Sequence, residues 1–262
     1  MIAFESLAGF LLVLLCALLM LVFTIARRRM RSPSRRTPAR VQVGLRPIAA
    51  MNELQRAMGL AVEEGARLHV SLGKSSLVAP TAGSALVGLS ALERVAQMSS
   101  ISDRPPISTS GDGALALLSQ DALQASYRLA HAPELYDPDR ARLTGVTPLS
   151  YVAGTLPVIH DEHISANILV GNFGPEAVLM VDAGDQRSAF TLAAADSIPA
   201  QAALYAAAKS PLIGEEVYAV SAYLQAGASH FASLRAQDVL RWLIILGLIA
   251  GAALKLLGIN GL

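Results

Sequence analysis

The sequence predicts an α/β domain bracketed by N- and C-terminal transmembrane helices, and three observations carry that prediction. Leu7 to Ile25, LAGFLLVLLCALLMLVFTI, is an unbroken apolar run that leads directly into Ala26-Arg27-Arg28-Arg29-Met30-Arg31, and about 20 apolar residues span the hydrocarbon core as a helix. Val239 to Ile259 is a second apolar stretch, whose charge-free part is confined to Trp242 through Leu254 by Arg241 and Lys255, so it spans only if Lys255 snorkels. Between them, Ile164 to Val170 (ISANILV) reads as a central strand, Gly174-Pro175-Glu176 starts a helix, and Ala189 to Ala194 (AFTLAA) reads as the next strand. Strand, helix and strand at that spacing form a βαβ unit with a right-handed crossover. The expected body is Rossmann-like, a small and mostly parallel sheet with flanking helices. The chain accordingly divides into an N-terminal transmembrane helix (1–26), a basic juxtamembrane linker (27–47), an α/β domain (48–236) and a C-terminal transmembrane helix (237–262).

In order along the chain, the linker SPSRRTPARVQVGLRP has prolines at Pro33, Pro38 and Pro47 and no apolar period, as a segment lying close to a membrane surface would. From Ile48 to Glu64, Met51, Leu54, Met58 and Ala61 recur at helical spacing, and Gly65 stands at the stop. Arg67 to Leu72 alternates as a strand. Gly83 to Ser99 carries Leu86, Leu89, Leu92 and Val95 or Ala96 along one stripe of a helix. Ile107 to Ser110 is extended, and Gly111-Asp112-Gly113 opens a helix to about Ala130. Pro133 to Gly145 (PELYDPDRARLTG) is charged and turn-rich, a surface connection. Thr147-Pro148 is a capping residue followed by proline in the first turn, so a helix runs from there toward Ile159. Two more helices, about Pro199 to Ala208 and Ile213 to Gln225, are separated by Ser210-Pro211.

Charge is distributed unevenly. Eight of the 21 Lys and Arg residues lie between Arg27 and Arg46 with no acid among them, which leaves 13 basic and 19 acidic residues behind Arg46. A mildly acidic body argues against nucleic acid as a partner, because neutralising phosphates needs a basic face on the folded domain. The collar suits lipid headgroups instead. Glu5 precedes the first apolar run and the arginines follow it, the reverse of a signal peptide. By the positive-inside rule Arg27, Arg28, Arg29 and Arg31 stay cytoplasmic, and Arg235 and Arg241 with Trp242 mark the cytoplasmic end of the second segment. The expectation is a two-pass protein of the cell (inner) membrane, both termini outside and the central domain cytoplasmic. An amphipathic surface helix is the alternative for the second segment. Its Gly247-x-x-x-Gly251 pair, continued by Gly258, would let another helix approach closely, the first helix of the same chain included. The single cysteine, Cys16, lies inside the first apolar run, so neither an intrachain disulfide nor a thiolate metal site can be built.

Few residues suggest chemistry. Gly73-Lys74-Ser75 follows a predicted strand like the end of a phosphate-binding P-loop, but position 68, where that loop needs glycine, is Leu68. His160-Asp161-Glu162-His163 is the densest group of potential metal ligands, with two histidines that share a helix face and carboxylates between them, although a hydrophilic connection would look the same. In an open parallel sheet, ligands sit beyond the carboxyl ends of the strands. Lys74, Ser110, Asp112, Asn172 and Asp196 all fall just after predicted strands and form a candidate rim for a small anionic ligand. His69, His131 and His230 stand apart as satisfied or exposed side chains. No nucleophile elbow, GxGxxG or CxxC is present, and aromatic residues are too few for single-strand stacking.

Met51-Asn52-Glu53-Leu54-Gln55-Arg56, the following Glu63-Glu64-Gly65, and Ala236-Gln237-Asp238-Val239-Leu240-Arg241-Trp242 carry a resemblance. The chain resembles a domain-of-unknown-function family of membrane-anchored bacterial proteins, of the kind seen in Chloroflexi. The resemblance covers Ile48 to the C-terminal helix and both membrane segments. It implies no activity, cofactor or catalytic residue.

Three functions fit these observations. The first is a non-enzymatic membrane scaffold that forms a homo-oligomer or holds a membrane-protein partner in the lipid bilayer. The second is a tethered sensor binding an anion at the strand-end rim, and the third a metal-dependent hydrolase built on His160 to His163.

Overall fold

The computed structural model describes residues 2–30, 46–99, 102 and 104–256. The chain forms two compact units, Met1–Val41 with Gly227–Leu262, and Gln42–Ala226.

The first unit pairs α1 (Ile2–Met30) with α9 (Ala228–Leu256). Phe23 of α1 shares an open cleft of about 570 Å³ with Arg235, Asp238, Val239, Trp242, Leu243 and Leu246 of α9. The late part of α1 thus meets the early part of α9, as in an antiparallel pair. Among the described residues one helical stretch, Ser229–Ala253, is long and apolar enough to cross a membrane, and α1 offers the shorter apolar stretch Leu12–Ala26. Both helices have 29 residues. α9 begins at Ala228, before the expected 237, so Ser229 to Asp238 lengthen that helix. The expected body limit of 236 moves to Ala226 for the same reason. Among the described residues a Cβ built at Gly247 or Gly251 meets nothing within 4 Å. Gly258 and Arg31 lie outside the described residues.

The second unit is an α/β fold around six parallel strands. They are β1 (Arg67–Gly73), β2 (Ile107–Ser110), β3 (Ala141–Leu143), β4 (Ile164–Asn172), β5 (Phe190–Ala195) and β6 (Ser210–Leu212). Their order is β3-β2-β1-β4-β5-β6, every neighbouring pair parallel. That is the doubly wound order, with the strand direction of travel reversing between β1 and β4. The helices are α2 (Ala49–Glu63), α3 (Ala82–Ser99), α4 (Gly113–Leu129), α5 (Pro148–Asp161), α6 (Val178–Gln186), α7 (Ile198–Ala207) and α8 (Glu216–Tyr223). α2, α3, α4 and α8 cover one face, and α5, α6 and α7 the other.

Local chemistry accounts for the boundaries. Asp112 caps α4 by accepting from the Leu115 N–H, and Thr147 and Ser150 form a reciprocal capping box ahead of Pro148 in α5. α2 buries Met51, Leu54, Met58 and Ala61, the stripe its spacing predicts. Two edge strands depart from the sequence expectation. β3 lies inside the stretch read as a surface connection, and β6 is the Ser210-Pro211 link read as a break between helices. Each has three residues, too few to show a period of two.

Candidate functional site at the strand ends

Where the strand order reverses, the carboxyl ends of β1 and β4 meet backbone to backbone. The Lys74 N–H donates to the Asn172 carbonyl at 2.9 Å, and the Asp196 N–H to the Gly171 carbonyl at 3.3 Å. Gly73 has φ +71°, and a Cβ there would sit 2.2 Å from the Asn172 oxygen, so only glycine fits both the left-handed backbone and the contact. A Cβ at Gly88 would fall 2.5 Å from the Val170 oxygen, which lets α3 lie directly on β4.

The five candidate rim residues do not converge on one open site. Asn172 Nδ2 donates to Asp196 Oδ1 at 2.7 Å, and Ser84 Oγ donates to Asp196 Oδ2 at 2.6 Å, so both carboxylate oxygens are engaged. Asp112 is spent on capping α4. Ser110 is buried, its Oγ 3.5 Å from the Asp112 carbonyl. Ser75, the P-loop-like serine, donates to the Thr81 carbonyl at 2.7 Å. Lys74 remains: its stem runs beside Gly111, and its ammonium makes no hydrogen bond or ion pair among the described residues.

The histidine-carboxylate cluster does not assemble as a metal site. Among the described residues no group of three or more His, Cys, Asp or Glu is placed to hold a metal ion. Glu162 closes α5 and accepts from Arg67 Nη1 at 2.8 Å and Arg142 Nη2 at 2.7 Å, while Asp161 and His163 point to the surface. Burial pushes the Glu162 carboxyl up, but the Arg142 hydrogen bond and the charges of Arg67, Arg142 and Arg140 bring it below its ordinary value. An ion-pair hub ties the amino end of β1 to β3. Of the residues read as orientation signals, Arg235 stacks over the Phe231 ring at 5.4 Å and Arg241 is exposed; Arg27, Arg28 and Arg29 fall on α1.

Polar chemistry is instead concentrated under α5 and α6. His69, Ser71, Thr109, Asn167 and Tyr151 are all at most 1% exposed. Asn167 Nδ2 donates to the Met180 carbonyl at 3.1 Å, which leaves Oδ1 to accept from His69 Nδ1 at 2.8 Å. His69 Nε2 then accepts from Thr109 Oγ1 at 2.9 Å. The Tyr151 hydroxyl accepts from the Gly73 N–H at 3.2 Å and lies 2.5 Å from Ser71 Oγ. Burial pushes the imidazole down to about 4, against the Asn167 hydrogen bond, and holds the Tyr151 phenol above its usual range. The network therefore contains a neutral histidine and a neutral tyrosine, each with its polar atoms matched. The signal for it was in β1: RLHVSL alternates, whereas a central parallel strand buried on both faces is expected to be apolar throughout.

Residues 4–261 match the family of a domain of unknown function, DUF6754. The chain belongs to that family. No curated protein and no solved structure matches it.

Proposed function

We propose that the chain is a membrane-anchored, non-enzymatic scaffold whose α/β unit self-associates. The observation that supports it most is the closure of the strand-end crevice: Asn172, Asp196, Ser84, Ser75 and Asp112 spend their polar atoms on one another and on helix ends. Groups that would address a cofactor instead fix the fold, while aliphatic side chains such as Val78, Val146, Leu149 and Ile198 stand exposed on the connections and first helical turns that follow the strands. Anchoring rests on Ser229–Ala253 as one span and on the Leu7 to Ile25 run as the other, with the arginine collar favouring a cytoplasmic body. Two copies with different tags, expressed together and solubilised in mild detergent, should co-purify on either tag. Independent elution of the two tags contradicts the proposal.

Lys74 supports a second reading, a sensor for a small anion at the switch point. A bound anion would raise the unfolding temperature by mass action, and Lys74→Ala would abolish that rise. An unchanged melting temperature across saturating phosphates, nucleotides and carboxylates contradicts it.

A further inference from the structure

Because the six strands are parallel, their amino ends share one edge of the sheet, opposite the strand-end rim. Arginines from three strands gather there. Arg67 opens β1, Arg104 stands just ahead of β2, Arg140 precedes β3 and Arg142 lies within it. Burial, joined by the charges of Arg140, Arg104 and Arg142, holds the Arg67 guanidinium below its ordinary value against the pull of Glu162. Two carboxylates, Glu162 and Asp137, are ion-paired to the four arginines, so the group carries more positive charge than these partners neutralise.

Two buried donors stand beside that charge. Arg67 is 9% exposed, and while its Nη1 donates to Glu162, its Nε has no hydrogen-bond partner among the described residues. Tyr127, in the last turn of α4, is 1% exposed, and its hydroxyl has none either. Burial holds the phenol above its usual range against the nearby charges of Arg140 and Arg67, so it stays protonated and able to donate. A buried donor without an acceptor costs its full desolvation, in contrast to His69 and Tyr151, whose polar atoms are matched. The cluster is open to solvent on its outer side: the Arg140 and Arg142 side chains are partly exposed and Arg104 is exposed.

We propose that this cluster is a binding site for a phosphate group, with the Tyr127 hydroxyl and Arg67 Nε as its buried donors and Arg140 and Arg104 for the outer oxygens. Guanidinium forks match phosphate geometry, and each such bond is charge-assisted. A phosphate dianion would also neutralise the excess charge. Inorganic phosphate, a small phosphomonoester and a phosphatidic acid headgroup all offer this chemistry. The site lies at the opposite ends of the strands from Lys74, and it goes beyond the scaffold reading without depending on it.

Thermal unfolding of the full chain in mild detergent, titrated with inorganic phosphate against chloride at constant ionic strength, tests the site. Binding should give a saturable rise in unfolding temperature, whereas exclusion of phosphate from the protein surface gives a rise that does not saturate. Tyr127→Phe removes an unmatched hydroxyl, so it should leave the phosphate-free unfolding temperature unchanged or higher while weakening half-saturation several-fold. Arg140→Gln should weaken it about tenfold, and Lys74→Ala should leave it unchanged. A rise seen only in nanodiscs containing phosphatidic acid, absent from phosphatidylcholine alone and diminished by Tyr127→Phe, supports the site with a lipid headgroup as the source. The site is overturned by a rise that does not saturate, by no rise with either probe, or by a saturable rise that Tyr127→Phe and Arg140→Gln leave intact.

Discussion

The two faces of the β-sheet are made of different material. Toward α2 and α3, β1 and β4 present Leu68, Val70, Leu72, Ala166, Ile168 and Val170, all fully or nearly fully buried. Toward α5 and α6 the same strands present His69, Ser71 and Asn167 beside Leu169, no less buried, the polar ones joined by hydrogen bonds to Thr109, Tyr151 and the Met180 carbonyl. Burying polar groups is tolerated only when their partners are in place, so these groups specify the seating of α5 and α6 on a face that Leu169, Phe173, Met180, Val181 and Leu204 otherwise pack with apolar side chains. The difference lies in how the centre of each face is held: by packing alone on one side, and by packing with matched buried hydrogen bonds on the other.

Substitutions that break the backbone frame of the comparison should cost most. Gly73→Ala pushes a Cβ into the Asn172 oxygen at a positive φ, and thermal unfolding in detergent should show a loss of roughly 4 kcal/mol or no folded protein. Next comes the polar face itself. Asn167→Ala leaves His69 Nδ1 without its partner and removes the side-chain bond to the Met180 carbonyl, for about 3 kcal/mol. A cost below that of Leu72→Val, about 1 kcal/mol on the apolar face, would mean the network is not structural.

Acid should separate the faces without mutation. The folded His69 value of about 4 lies below the unfolded 6.5, so between those values the unfolded chain takes up a proton that the native chain refuses. Stability is complete above about pH 6.5, falls with pH and levels off below about 4, with up to about 3 kcal/mol lost in that window. An unfolding profile that is flat from pH 6.5 to 4 would show that His69 is not held neutral. The smallest effect belongs to the ion-pair hub. Glu162→Gln should cost about 1 kcal/mol, since the carboxylate is partly exposed, and salt should reduce the difference.

Much of this fold was legible in the sequence because the long elements announce themselves. The stripe of α2, the Asp112 and Thr147 caps and the apolar run of β4 each carry a local cause. β3 and β6 were not legible, since three residues at a sheet edge are specified by their neighbours across the sheet and not by their own pattern. The rim was legible only as a position. Lys74, Ser110, Asp112, Asn172 and Asp196 do follow strands, but whether a side chain faces a ligand or another side chain depends on partners distant in the chain, as Ser84 is from Asp196. The polar face was hidden for the opposite reason: the alternation of RLHVSL was visible, but a half-exposed strand has the same pattern.

The claim that this architecture serves assembly is tested most directly by the molar mass of the full chain in mild detergent across a dilution series. The account predicts a discrete oligomer that persists on dilution and gives way to monomer only at the lowest concentrations. A monomer at every concentration would contradict it.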